Sequence, residues 1–148
     1  MKIDDALNSS FKSSLHRAIV NIKYTSNFIG QSHSQFMTQF DLSMAQFNIL
    51  RILRGAKKAI AVSVVKDRMV EKSPNTTRLM DKLMDKGLIS RNRCKEDRRV
   101  VYVEINKKGL DLLAKIDVAL EENKMFSESN LSDDELETLS ALLDKIRG

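Results

Sequence analysis

The sequence predicts a mainly α-helical protein carrying one small β-hairpin, and three observations lead there. Apolar residues recur at helical spacing through most of the chain, the spacing gives way to alternation between Ile89 and Ile105, and capping residues stand where the periodic runs begin and end. The single proline, Pro74, is one of those markers.

The first helix is expected from Ala6 to Phe40. Leu7, Phe11, Leu15, Ile19, Ile22, Ile29, Phe36 and Met37 keep to one stripe there, with Gly30 as the place for a kink. Ser43 is positioned to cap a second helix that buries Met44, Phe47, Leu50 and Leu53 or Ile52 and ends near Gly55. A third, shorter helix covers about Val62 to Val70, with Val62, Val65 and Met69 inward.

The next helix, Ser73 to Lys86, has both ends written into the sequence. Ser73 can cap with its hydroxyl, Pro74 suits the first helical position where its missing N–H costs nothing, and Gly87 suits the left-handed residue after the last turn. Thr76, Leu79, Met80, Leu83 and Met84 form the buried face, with Leu88 folding back onto Leu83, so Asn75, Thr77, Arg78 and Lys82 point outward. Beyond Gly87, Ile89–Cys94 and Val101–Ile105 pair as a hairpin with Lys95-Glu96-Asp97-Arg98-Arg99 at its tip. Val101, Val103 and Ile105 share one of its faces, Tyr102 and Glu104 the other. Asn106 caps a helix with Leu110, Leu113, Ile116, Ala119 and Leu120 inward, and Ser132 to Glu135 form a capping box for a last helix lined by Leu136, Leu139, Leu142, Leu143 and Ile146.

Composition narrows the function. A chain of 148 residues with 42% hydrophobic and 30% charged content suits one folded domain or a domain with an extension. No apolar run near the N-terminus is long enough for an export signal or a membrane span, which makes the cytoplasm the expected location. One cysteine, Cys94, forms no internal disulfide, and with only two histidines, His16 and His33, no metal site or cofactor is expected. Cys94 is expected to be an inert thiol. No nucleophile–base pairing, glycine-rich phosphate loop or carboxylate cluster supports an enzyme. Charge is uneven: fifteen basic and six acidic residues lie between Arg51 and Arg99, whereas nine acidic and three basic lie from Asp117 to Gly148. A concentrated positive region is the electrostatic footprint of a protein that neutralises phosphates.

A short helix, a tight connection, a capped helix with a polar outer row and then a hairpin is the order of a winged helix-turn-helix. In that reading the outer row meets base edges, because Asn pairs with adenine, Arg with guanine, and Thr offers a hydroxyl and a methyl. Arg98 and Arg99 at the hairpin tip would enter a minor groove or grip phosphate. Residues 41–106 would be the DNA-binding region. Residues 1–40 and 107–148 would form a helical dimerisation region, because their apolar stripes exceed what so small a core can cover. The rival reading is a winged-helix module for architectural DNA binding or protein contacts.

The segments LSMAQFNIL, NTTRLMDKLMDKGLISR and DRRVVYVEINKKG together resemble the MarR family of bacterial transcriptional regulators over essentially the whole chain. The resemblance implies a homodimeric repressor acting on a palindromic operator in double-stranded DNA and released by a small-molecule effector. By position it implies DNA contacts from Asn75, Thr77, Arg78 and Arg99, with Arg99 probing the minor groove and Asp97 steadying the wing by pairing with an arginine; the capped start, outward row and hairpin tip add Ser73, Lys82 and Arg98 to the candidate DNA-binding residues. The dimer interface would use Phe11, Leu15, Leu139, Leu142, Leu143 and Ile146. His33, Met37 and Phe47 are the candidate effector pocket, against the plainer reading of His33 as a hydrogen-bonded core residue. Two positions depart from the family pattern: Asn106 replaces a threonine, an exchange of one cap for another, and Glu71-Lys72 occupy a turn that is usually small or apolar.

Overall fold

The computed structural model describes residues 1–72 and 74–148. Its order of elements is α1 (Ile3–Leu7), α2 (Ser14–Met37) with a 3₁₀ turn at Thr38–Phe40, α3 (Met44–Ala56), β1 (Ile60–Ala61), α4 (Val62–Arg68), α5 (Thr76–Asp85), β2 (Ile89–Arg93), β3 (Val101–Ile105), α6 (Lys107–Glu122), α7 (Lys124–Ser127) and α8 (Asp133–Arg147). No helix among the described residues is long and apolar enough to cross a membrane.

The expected single helix from Ala6 to Phe40 is two helices. Asn8 turns left-handed (φ 45°) and closes α1, and Ser13 opens α2 by accepting the His16 amide at 3.1 Å. Asn and Ser side chains compete for backbone hydrogen bonds, as Ser13 does here, which favours caps over helix interior along Asn8-Ser9-Ser10 and Ser13-Ser14. Helix α2 then runs through Gly30 without interruption. Its companion α3 starts where expected: Ser43 and Gln46 form a reciprocal capping box, the two bonds being 3.0 and 3.1 Å.

Helix α4 ends at Arg68, earlier than expected, leaving Val70 exposed. Lys72 explains the unusual turn that follows: its ammonium donates to the carbonyls of Lys66 and Asp67 at 3.1 and 2.7 Å, adding to the Met69 amide already on Lys66 and satisfying Asp67 at the end of α4. Helix α5 begins at Thr76, so Pro74 belongs to the preceding turn instead of the first helical position. Asn75, at φ −93° and ψ 10°, is the residue from which the helix starts. The cap assigned to Ser73 falls outside the described residues. The C-terminal end is as expected, with Gly87 at φ +71°, its amide on the Met84 carbonyl at 2.8 Å and the Leu88 amide on that of Leu83 at 3.0 Å. Those two bonds define a Schellman end.

The hairpin strands pair antiparallel with Ile89 opposite Ile105 and Arg91 opposite Val103. A third strand, β1, adds to the other edge of β3 with Ile60 opposite Val103. Two residues are too short to show a period, so this strand leaves no sequence signal. The core gathers beneath the sheet from Ile49, Leu50 and Leu53 of α3, Val65 of α4, Met80 and Leu83 of α5, Val103, and Leu113 and Ile116 of α6, all essentially inaccessible to water. Arg54 of α3 ties α6 through a two-point ion pair to Asp117 at 2.6 and 3.4 Å. On α6, Leu110 is exposed and Leu112 packs on the core in its place.

The chain's two ends differ from that core. Leu15, Ile19, Phe28 and Ile29 of α2 and Leu136, Leu139, Leu142 and Ile146 of α8 are each between 39% and 68% exposed. Single scattered apolar residues on a surface need no explanation, but two stripes of them on consecutive helical turns do.

Candidate nucleic-acid interface

Helix α5 is divided by burial. Thr76, Met80 and Leu83 face inward and are almost fully buried, with Leu79 and Met84 half-buried, so Asn75, Thr77, Arg78 and Lys82 are left exposed on the opposite face. The Thr76 hydroxyl lies 3.6 Å from the Met69 sulfur, which pins the start of α5 onto the end of the preceding turn. The helix is thereby held by its apolar side and presents its polar side to solvent.

The hairpin stands beside it. At the tip, the Asp97 carboxylate accepts the Arg99 amide at 3.0 Å and lies 4.0 Å from the Arg99 guanidinium, while the Val100 amide closes the turn onto the Asp97 carbonyl at 3.0 Å. Asp97 therefore shapes the turn through the backbone, and its charge pairing with Arg99 is loose. The Arg99 side chain itself is 95% exposed. Arg98 is exposed as well, and Cys94, half-buried, sits where the Cys94 amide bonds the Val100 carbonyl at 2.9 Å.

Two residues that tie this surface together were not singled out from the sequence. Arg91 of β2 reaches Asp81 of α5 at 2.7 Å. Lys86, at the end of α5, bonds the Asp41 carbonyl and lies 3.4 Å from its carboxylate, while Lys108 of α6 donates to the Lys86 carbonyl at 2.8 Å. Strict alternation from the buried Ile89 places Arg91 on the sheet face that packs against α5, a signal available in the sequence. Lys86 had no comparable signal, since its partner lies 45 residues away.

Met37 and Phe47, of the expected effector pocket, are core residues, 0% and 4% exposed, on the helix stripes that pack inward, and they do not border the cleft at His33. His33 does border an open cleft of about 820 Å³ between α2, α3 and the turn before α5, with Lys23, Asn48, Arg51 and Met69 among its walls. It is half-buried and packs against Phe126 with ring centres 4.7 Å apart and the rings tilted by 52°, so an aromatic contact takes the place of the expected hydrogen bond. His16 is exposed against the edge of Phe11, and Phe11 is half-buried there. Among the described residues no group of His, Cys, Asp and Glu could hold a metal ion.

Residues 31–116 match the family model for the transcriptional regulators SarA/Rot. Among solved structures, the chain is 32% identical to a MarR transcription factor from Planctomyces limnophilus, covering 91% of this chain and 98% of that one with a TM-score of 0.70. It is 25% identical to a mutant MarR from E. coli complexed with operator DNA, over 90% and 99% of the two chains, with a TM-score of 0.71. It also shares the fold of S. aureus MepR in a DNA complex, at 22% identity over 93% and 97% of the chains and a TM-score of 0.75. A buried-and-polar α5, a hairpin wing and a match across more than half the chain converge: the protein belongs to the SarA/Rot family of transcriptional regulators, DNA-binding proteins of the MarR-like winged helix-turn-helix type and not enzymes.

Proposed function

We propose that this regulator binds double-stranded DNA as a homodimer and represses transcription from a palindromic operator, with α5 in the major groove and the hairpin tip at the minor groove. The observation that carries this reading is the exposed row of Asn75, Thr77, Arg78 and Lys82 on a helix anchored by its other face, flanked by the extended Arg99. Asn, Thr and Arg in such a row have the donors and acceptors that base edges match. Ser73 would join them at the start of the row. Residues 41–106 form the DNA-binding region in this reading, and residues 1–40 and 107–148 the dimerisation region, with the stripe of Leu139, Leu142, Leu143 and Ile146 packed against Phe11 and Leu15 of the partner. Two-fold symmetry would set two α5 helices about one helical turn of DNA apart. The structure of E. coli MarR complexed with operator DNA supports DNA as the partner, and S. aureus MepR, seen in a complex with DNA, shares the fold.

The cleft bordered by His33 is the seat we assign to a small-molecule effector, because its walls include both α2 and Met69, next to the turn that enters α5. A ligand that spreads those walls would move the reading helix. Selection of bound duplexes from random DNA tests the central proposal. Recovery of a two-fold symmetric site bound far more tightly than random duplex supports it. Enrichment of no sequence overturns it in favour of architectural binding.

A further inference from the structure

Helix α5 carries an acid in the middle of its reading surface. Asp81 lies three residues after Arg78 and four after Thr77, so it is their neighbour one turn along the helix. At that spacing an isolated helix would pair Asp81 with Arg78 and tie up the guanidinium that the DNA-reading mode requires. The folded chain does something else: Asp81 bonds Arg91 at 2.7 Å, and among the described residues no ion pair involves Arg78.

Arg91 is built to make this contact. It lies on the same face of β2 as the buried Ile89 and opposite the buried Val103, so its stem follows the packed side of the wing toward α5.

We infer that Arg91 is a specificity-determining positioning residue. It holds Asp81 away from Arg78, which keeps Arg78 unpaired for base reading. The inference rests on the reading of α5 as the DNA-contacting helix. An ordinary surface ion pair would have no such effect, since exposed pairs contribute little by themselves.

The test compares wild type, Arg91→Gln, Asp81→Asn, Arg91→Gln/Asp81→Asn and Arg91→Gln/Glu104→Gln on the selected operator and on random duplex, with thermal unfolding as a check of folding. Glu104 is exposed on the other face of the hairpin, so its change restores net charge without touching α5. Arg91→Gln should lower the ratio of operator to random affinity by about tenfold, within the range of a lost base-reading arginine, with unfolding unchanged. Adding Asp81→Asn should restore the ratio, and adding Glu104→Gln should not. Equal loss on both duplexes, rescue by Glu104→Gln as complete as by Asp81→Asn, or no rescue by Asp81→Asn would each overturn the inference while leaving the DNA-reading helix intact. Absence of any operator preference in wild type would remove both readings together.

Discussion

Gly109 lies so close to the Leu88 carbonyl that a Cβ added there would sit 2.4 Å from that oxygen and 2.6 Å from Ile105 Cγ1. The same carbonyl accepts the Asn106 amide at 3.1 Å, and the Asn106 side chain accepts the Gly109 amide at 3.0 Å and donates to the Gly87 carbonyl at 2.7 Å. One glycine thus lets the end of α5, the end of the wing and the start of α6 meet on shared hydrogen bonds. Gly109→Ala should destabilise the fold by about 1–3 kcal/mol through overpacking, read as a lower urea midpoint with an unchanged slope. A midpoint equal to wild type would mean the junction can open without cost.

The exposed stripes give the second prediction. Wild type should sediment as a dimer at micromolar concentration, and Leu139→Asp or Leu143→Asp should give a monomer or unfold the chain, because a charge buried in an apolar interface without a partner is costly. DNA binding should fall with the dimer. A wild-type chain that sediments as a stable folded monomer removes the assignment of α8 to the interface.

The cap of α8 responds to pH with a defined sign. Hydrogen bonds from the Ser132 backbone amide, and next from its hydroxyl, hold the Glu135 carboxyl below its usual range. A group whose pKa is lowered on folding stabilises the folded state above its unfolded pKa, and that contribution disappears as pH falls through the folded value. Acid should therefore loosen the first turn of α8 below the ordinary carboxylate range, and Glu135→Gln should flatten this acid limb in circular dichroism. An unchanged limb in the variant points to other carboxylates.

What could be read from the sequence was what repeats or caps. The Ser43 cap, the Gly87 end, the alternation through Val103 and the Ser132 box each follow a local rule, and each stands in the structure where the rule puts it. The misses share a cause. A stripe continued across Asn8 to Ser13 because periodicity counts apolar residues and ignores caps, and the two-residue β1 exists only through its pairing with β3. At the site, exposure of Thr77 and Arg78 followed from helical phase, whereas the tie between Lys86 and Asp41 is long-range and left no local trace. Met37 and Phe47 lie buried in the core, and sequence alone does not separate core from pocket lining, since both use the same residue types.

Arg78 should carry base discrimination. Arg78→Ala should cost roughly 1–3 kcal/mol on the operator and relax preference at one position in each half-site, with Thr77→Ala weaker in the same direction. Competition between operator and point-substituted duplexes reads both. Equal loss on operator and random DNA would show a phosphate contact only.

The wing tip separates two kinds of arginine contact. Arg99 is 95% exposed on a turn whose backbone Asp97 closes and pairs only loosely with that carboxylate, so its guanidinium can enter a groove, while Arg98 precedes it in the same turn and faces phosphate in the proposed docking. A narrow, electronegative minor groove over A·T pairs attracts an inserted arginine, and a phosphate contact is indifferent to the bases. Both variants, Arg99→Ala and Arg98→Ala, are expected to unfold like wild type, since neither side chain packs on the core. Arg99→Ala should lose more affinity on an operator with A·T-rich flanks than on one with G·C-rich flanks, and Arg98→Ala should lose less than Arg99→Ala, equally on both. Titrations at several salt concentrations complete the comparison, because a lost phosphate contact lowers the salt slope by about one unit. If Arg99→Ala instead loses affinity equally on both flanks and lowers that slope, Arg99 is a phosphate clamp and the wing reads neither sequence nor shape. If neither variant binds more weakly than wild type, the hairpin does not touch DNA, and contact with another protein becomes the better reading of it.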